Sequence, residues 1–237
     1  MNNDIDISAA LNSLTKNPIP WADIGIVGVH FLIPVIGPIA VLGWHRRIFD
    51  NALNGDTTTI PKIALMEDMK YGLPIFVAYL NNFLLVIALM VIFACIVGCG
   101  SVALLLIAQV SPDLAGILGG VGFVLVYIGY ILGIFLLSIG MQVINVEFAR
   151  RGHQGDMFPL AKYKEIIWLM RNHTKAYFMT FVGIFLFGAI GGLGVMACYI
   201  GMFFTLPLSM IGSARILAQW QRNVEAIIPQ RSILDQS

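Results

Sequence analysis

The side chains best suited to bind a charged partner are basic, and they lie beside the ends of long apolar stretches. Basic groups in such positions bind the phosphates of lipid headgroups. All four tryptophans also flank apolar stretches, as an aromatic belt at a membrane surface requires. We therefore predict a set of residues in contact with lipid headgroups or the membrane interface: Trp44, Arg46, Arg47, Arg150, Arg151, Lys162, Trp168, Arg215 and Trp220.

Catalytic and metal-binding patterns are absent from the sequence. It contains no His-Glu-x-x-His, no Gly-x-Ser-x-Gly, no phosphate-binding glycine loop and no cysteine pairs at zinc spacing. Cys95 and Cys99 are one helical turn apart but have no third ligand nearby, which favours buried, reduced thiols over a metal site. His30 is expected to bond a backbone carbonyl, with pH sensing or a conduction path as the alternatives. We predict no enzyme activity, no metal and no cofactor.

Two further groups of residues fit contacts between helices. Transporters usually carry Asp, Glu, Lys or Arg inside their spans, and this chain has none there. The amides Asn81 and Asn82 are therefore assigned to a contact between helices or subunits, with a conduction path as the alternative. Gly129 and Gly133 form a Gly-x-x-x-Gly face that allows close helix packing.

The composition indicates that the helices carrying these residues lie in a membrane. Of the 237 residues, 58% are hydrophobic and only 11% are charged, against about a quarter in soluble domains. Each charge-free stretch is long enough to cross a bilayer as a helix, which takes about 20 residues. A net charge of +1 gives no reason to expect nucleic acid. We predict an all-α integral membrane protein, whose charge-free stretches are 24–44, 71–112, 114–146 and 176–214.

Basic residues indicate which connections face the cytoplasm. They are concentrated in 44–72, in 147–175 and in the C-terminal tail, whereas the connection 111–113 and the glycine turn near 191–194 have none. This pattern predicts about four transmembrane helices in two hairpins. The N-terminus lacks the pattern of a signal peptide, which favours the bacterial inner membrane.

The first apolar stretch, 24–44, contains Pro34 and Pro38, and proline breaks helices. It is predicted either to span once or to re-enter on the same face. The chain divides into a polar N-terminal segment 1–22, a helical membrane domain 23–214 and an amphipathic cytoplasmic tail 215–237.

An internal repeat is predicted with units near 24–72, 114–175 and 194–229. Gly43, Gly140 and Gly212 each close an apolar segment that leads to a partly polar helix and a proline. In the first two units Gly55-Asp56 and Gly155-Asp156 precede that proline, and glycine is suited to end a helix there.

The stretches 158–175 and 213–228 are amphipathic. Apolar residues recur in them at helical spacing, opposite basic and acidic residues. Such helices lie in the membrane interface. The alternative is that they pack on other helices in water.

Helix length favours a homo-oligomer. A continuous helix through 71–112 is about 63 Å long, whereas the hydrocarbon core is about 30 Å thick. Neighbouring subunits, or lipid held between them, are expected to cover the excess apolar surface.

The segment Ile-Pro-Val-Ile-Gly-Pro-Ile-Ala-Val-Leu-Gly at 33–43, with Gly55-Asp56 and Ile60-Pro61, resembles a bacterial membrane family catalogued only as a domain of unknown function. Glu-Phe-Ala-Arg-Arg at 147–151 and Phe158-Pro159 are similar, and the match covers roughly 25–215. More loosely, the chain resembles the ring-forming, lipid-enclosing helical membrane proteins of predatory bacteria. That group was first assigned to the outer membrane, which is possible here only through this loose resemblance.

We therefore predict a non-enzymatic homo-oligomer, with phospholipid and further copies of itself as partners, whose ring organises, traps or sequesters lipid. The alternative function is a channel or transporter for a small solute. An enzyme acting on lipid ranks third, because no pair of nucleophile and base is evident.

Overall fold

The structure is a computed structural model that describes residues 4–16, 19–110, 124, 127–133, 140, 143–196 and 201–234. Within those residues every regular element is a helix, which confirms the predicted all-α class. A short 3₁₀ turn, Pro159–Lys162, precedes α6. The helices are α1 Ile7–Lys16, α2 Trp21–His30, α3 Ile36–Leu53, α4 Leu65–Val110, α5 143–153, α6 Tyr163–Asn172, α7 Thr174–Met196 and α8 Met202–Leu234.

The chain forms two compact units, and the predicted division into a membrane domain with two flanking segments stays a prediction. The first unit contains Met1–Tyr79 and Asn145–Ser237, and the second contains Leu80–Ile144. Residues before 23 and after 214 belong to the first unit, where α1 packs on α8. The predicted boundary at 214/215 lies inside the continuous helix α8, because Arg215 is accommodated within the protein.

In the described part of the chain, two helices are long and apolar enough to cross a membrane: α4 over Leu65–Gly100 and α7 over Thr174–Gly194. In the most apolar part of α4 none of the residues is buried in the protein (0%), whereas in α7 28% are. An apolar helix without cover is unstable in water, so these helices support the prediction of a membrane protein. Four spans in two hairpins stay a prediction.

The first apolar stretch is not a continuous helix. Helix α2 ends at His30 and α3 begins at Ile36, with a tight turn between them. In that turn Val35 has φ 63° and ψ −56°, and the Ile36 N–H donates to the Pro34 carbonyl at 2.7 Å, which defines a strained γ-turn. Pro38 is tolerated because it lies in the first turn of α3.

Helices α7 and α8 pack antiparallel along their length. Added Cβ atoms on Gly191 and Gly183 would lie 3.1 Å from Ser209 and 3.2 Å from Ile216, so both glycines permit close approach. The predicted turn at 191–194 is wrong, since those residues continue α7 to Met196. Their glycines serve packing instead of chain reversal.

The predicted helix ends at Gly55 and Gly155 are confirmed. Both glycines have a left-handed backbone, with φ 91° and 88°. In each turn the N–H of the following aspartate donates to a carbonyl five residues earlier, at 2.9 Å, as in a Schellman cap. Oδ1 of Asp56 and of Asp156 then accepts from the N–H two residues on. The same turn therefore recurs, while the three-unit repeat stays a prediction.

The second unit contains the C-terminal part of α4 and the helical residues 127–133. These two segments are in contact, since the Phe93 and Tyr130 rings stack with centroids 5.8 Å apart. Cys95 and Cys99 are free and exposed, which differs from the expected buried position because their helix is uncovered. The predicted turn 111–113 lies outside the described residues.

Candidate functional site

The first unit contains a layer of charged and polar side chains that is almost completely buried. We call it the buried polar layer, and it joins α3, α5 and α8. Charges buried this deeply require partners, because the desolvation of an unpaired ion costs several kcal/mol. Its members are His45, Glu147, Arg150, Arg151, His153, Arg215 and Gln221.

Glu147 is the centre of this layer and has no exposed surface (0%). Its carboxylate accepts a hydrogen bond from Trp220 Nε1 at 2.6 Å and from Arg150 Nη2 at 2.8 Å. The Arg151 Nε atom lies 3.5 Å from the same carboxylate. The carboxylate therefore neutralises Arg150, lies beside Arg151 and fixes α8 through its tryptophan.

The two arginines extend the network to neighbouring elements. Arg150 Nη1 donates to Gln221 Oε1 on α8 at 2.7 Å. Arg151 Nη2 forms an ion pair with Glu165 on α6 at 2.8 Å. The pairs thus hold α5 between α6 and α8.

A similar arrangement joins α3 to the start of α4. Arg47 Nε lies 2.7 Å from Asp68 Oδ1, and Asp68 Oδ2 accepts from the Ala64 N–H at 2.6 Å. Trp44 Nε1 donates to the Pro61 carbonyl at 2.6 Å. Trp44 and Arg47, two of the three sequence-selected residues of α3, are therefore engaged within the protein.

Five of the predicted headgroup residues are buried and have protein neighbours, so the headgroup interpretation does not describe them. A basic residue beside an apolar stretch has the same sequence pattern whether it meets a lipid phosphate or a buried carboxylate. Arg46 and Arg47 are half-buried, and Arg46 lies over the Tyr71 ring at 5.5 Å. Lys162 is exposed beside Asp156, and Trp168 is half-buried. The buried five are Trp44, Arg150, Arg151, Arg215 and Trp220.

A chain of hydrogen bonds through two histidines crosses the same layer. His153 Nδ1 lies 2.6 Å from the Ala149 carbonyl, which can only accept, so this nitrogen carries the proton. His153 Nε2 then accepts from His45 Nδ1 at 2.5 Å. His45 Nε2 lies 3.1 Å from the Ser213 hydroxyl, which also donates to the Met210 carbonyl at 3.0 Å. One backbone carbonyl thereby determines both tautomers.

The surroundings keep both histidines neutral. Burial, followed by the charge of His153, holds the pKa of His45 well below its ordinary value. Burial lowers the pKa of His153 to about 4, with Arg46 acting in the same direction and the Ala149 carbonyl opposing it. The order Ser213–His45–His153 matches nucleophile, base and orienting group. Because His45 is so weak a base, we interpret this chain as packing.

The remaining sequence-selected residues lie elsewhere. His30 Nδ1 lies 2.7 Å from the Ile26 carbonyl of its own helix, as expected. Asn82 is buried and Asn81 is half-buried, both in the second unit. A Cβ on Gly133 would meet Phe93 of the same chain at 2.5 Å, whereas nothing lies within 4 Å of one on Gly129. The two glycines therefore have different surroundings.

The sequence reasoning missed the acidic and hydroxyl partners, Glu147, Asp68 and Ser213. One signal for Glu147 was present, since it precedes Arg150 and Arg151 by one helical turn in apolar surroundings. No family model, curated protein or solved structure is significantly similar to the chain. The resemblances stated above therefore stay predictions.

Proposed function

We propose that this protein is a non-enzymatic, homo-oligomeric integral membrane protein that organises or encloses lipid in a ring-like assembly. The observation that carries the proposal is the length of uncovered apolar surface on α4. If that surface is covered by other subunits and by lipid, the extracted protein has the mass of an oligomer and retains bound phospholipid. These are the two quantities to measure.

Helix α4 has 46 residues and is charge-free from residue 71 to its end. That charge-free part rises about 60 Å, and a tilt of about 40° reduces its span to about 46 Å. The hydrocarbon core is about 30 Å thick. Exposed side chains recur along the whole length, among them Phe83, Val91, Ile96 and Leu106. Apolar surface beyond the bilayer needs another subunit or raised lipid to cover it.

Helix α7 has a second open surface. No atom lies within 4 Å of Cβ atoms added to Gly188 and Gly192, which are four residues apart. Phe185 and Leu193 beside them are exposed. A Gly-x-x-x-Gly face without a neighbour among the described residues fits a helix of a second copy.

The proposal includes a topology and a membrane. Four spans in two hairpins, with the basic connections and the C-terminus in the cytoplasm, agree with the charge distribution. The bacterial inner membrane is the membrane that this arrangement favours. The first apolar stretch, broken between α2 and α3, is then re-entrant, because α2 has only 10 residues.

The test is the intact mass and the bound phospholipid of the detergent-extracted protein, measured together with two glycine variants. Gly129→Leu adds bulk where none of the described residues lies within 4 Å of an added Cβ, so a folded monomer with less bound phospholipid is expected. Gly133→Leu is the matched control, because its side chain collides with Phe93 inside the chain and should impair folding. A wild-type monomer with only a loose lipid annulus contradicts the proposal. An unchanged mass for Gly129→Leu excludes that face from assembly.

A channel or transporter is the competing function, and flux distinguishes it. Liposomes containing the protein should show no solute flux above protein-free liposomes, because a lipid-organising assembly needs no conduction path. Flux that Asn82→Leu abolishes, with the oligomer intact, would favour the channel.

A further inference from the structure

The segment 157–171, which contains the 3₁₀ turn and α6, has apolar side chains on two opposite sides. On one side Pro159, Ile166 and Leu169 are buried in the protein. On the other side several large apolar residues are exposed, although a helix on a water-soluble surface presents polar residues there. The exposed group is Met157, Phe158, Leu160, Tyr163 and Ile167.

Basic residues border this exposed group. At 100° per residue, Tyr163, Ile167, Arg171 and Lys164 fall in order within one arc of about 100° on α6. All four are exposed. An apolar strip with basic residues along its edge is the pattern of a helix that lies in a membrane interface.

The acidic residues nearby are engaged and do not cancel this positive charge. Glu165 is directed to the buried Arg151, with which it pairs at 2.8 Å. Asp156 lies 3.2 Å from Lys162 and 3.8 Å from Arg151. The exposed surface of α6 is therefore basic, and its charge is complementary to anionic headgroups.

Chain continuity also brings this surface to a membrane boundary. Helix α6 ends at Asn172, and the candidate span α7 begins at Thr174 after a break at His173. A single residue between the two helices keeps α6 at the end of the span.

We propose that Phe158, Leu160, Tyr163 and Ile167 insert into a leaflet whose anionic phospholipids bind Lys164 and Arg171. We call this surface the α6 platform. The inference rests on the proposed function only in requiring a bilayer, and it adds the charge of the lipid that the protein organises.

The experiment uses the full-length protein without its three cysteines, reconstituted in vesicles of phosphatidylcholine alone or with phosphatidylglycerol. An environment-sensitive fluorophore is attached to Ile167→Cys, and brominated phospholipids serve as quenchers. Gln154→Cys, an exposed position off the platform, is the control. We expect blue-shifted emission and quenching at 167 in anionic vesicles, reduced in phosphatidylcholine alone, and neither at 154.

Lys164→Gln with Arg171→Gln should weaken docking on anionic vesicles by about 30-fold, the effect of two charges near an anionic surface. Both side chains are exposed, so the fold tolerates the changes, which circular dichroism checks. Equal quenching in both vesicle types, or no effect of the double variant, overturns the anionic-lipid assignment.

If the fluorophore at 167 shows the same emission and the same lack of quenching as the one at 154, the α6 platform does not insert into the leaflet. One that is shielded but not quenched shows that protein covers the surface, which also contradicts the inference. The mass of the same preparation separates this result from the proposed function. A monomer whose platform is inserted in the leaflet contradicts only the proposed ring. An oligomer whose platform is exposed to water contradicts only the present inference.

Discussion

At the scale of residues, the basic side chains beside apolar stretches are of two kinds. Arg150 and Arg151 are buried around Glu147, whereas Lys164 and Arg171 are exposed on the α6 platform. The sequence predicted that basic residues at these borders matter, but it did not separate the two kinds. The difference depends on which faces of α5 and α6 are covered by other helices, and only packing determines that.

Removing the central carboxylate should destabilise the fold strongly. Glu147→Gln keeps the shape and an acceptor for Trp220 but leaves the buried Arg150 without a counter-charge, at a cost of about 3–5 kcal/mol, while Arg151 retains Glu165. Glu67→Gln, an exposed glutamate at the start of α4, is the control and should change stability little. Thermal unfolding in detergent, followed by tryptophan fluorescence, measures both. Equal unfolding midpoints for the Glu147→Gln and Glu67→Gln variants would show that Glu147 is not the centre of the buried polar layer.

Acid should weaken the same layer through its histidines. The folded-state pKa of His153 is about 4 against an ordinary value of 6.5, so the folded protein binds fewer protons than the unfolded one. Stability is therefore fully present above pH 6.5 and is lost as the pH falls toward 4, by about 3 kcal/mol for this group. His153→Gln should reduce that pH dependence, whereas His30→Gln, at a half-buried position in α2, should not. His45 keeps part of the slope in this variant, so a slope left unchanged by His153→Gln would assign the acid sensitivity elsewhere.

At the scale of elements, the two glycine turns should be intolerant of side chains. Gly55→Ala and Gly155→Ala place a Cβ in the left-handed region, which costs about 1–2 kcal/mol each. Gly188→Ala, in α7 with no atom within 4 Å of its added Cβ, is the control and should be tolerated. Unfolding midpoints of the three variants test this. Tolerance at both turns would mean that the caps do not limit stability.

Helix ends at 55 and 155 could be predicted because glycine with a following aspartate is a local signal. The turn at 191–194 could not, because glycine permits both a turn and a close helix contact. The apolar stripe of 213–228 predicts a helix in the membrane interface, with packing on other helices as the alternative. The structure agrees with the alternative, since Ile216, Trp220 and Val224 are buried in the protein. Its cover is protein instead of lipid, and periodicity does not distinguish the two.

At the scale of the whole molecule, the charge distribution predicts which connections face the cytoplasm. In a background without native cysteines, Ser111→Cys should react with an impermeant thiol reagent added from the extracytoplasmic side. Gln154→Cys should react only after the membrane is opened, because 147–175 is rich in basic residues. Labelling of intact cells followed by gel-shift detection measures both. The reverse pattern would overturn the proposed hairpins.

Helix α8 has a consequence for how the chain is made. It contacts α1 through Asp6 and Gln219, α3 through His45 and Ser213, and α7 along its length. It also follows α1, α3 and α7 in the chain, so it is synthesised after all of them. The turn between α3 and α4 is local and is able to close early, whereas the first unit lacks its central helix until α8 has been made. Until then, the faces of α2, α3 and α7 that pack on α8 are uncovered. A chain stopped before residue 202 is therefore a substrate for quality-control proteolysis.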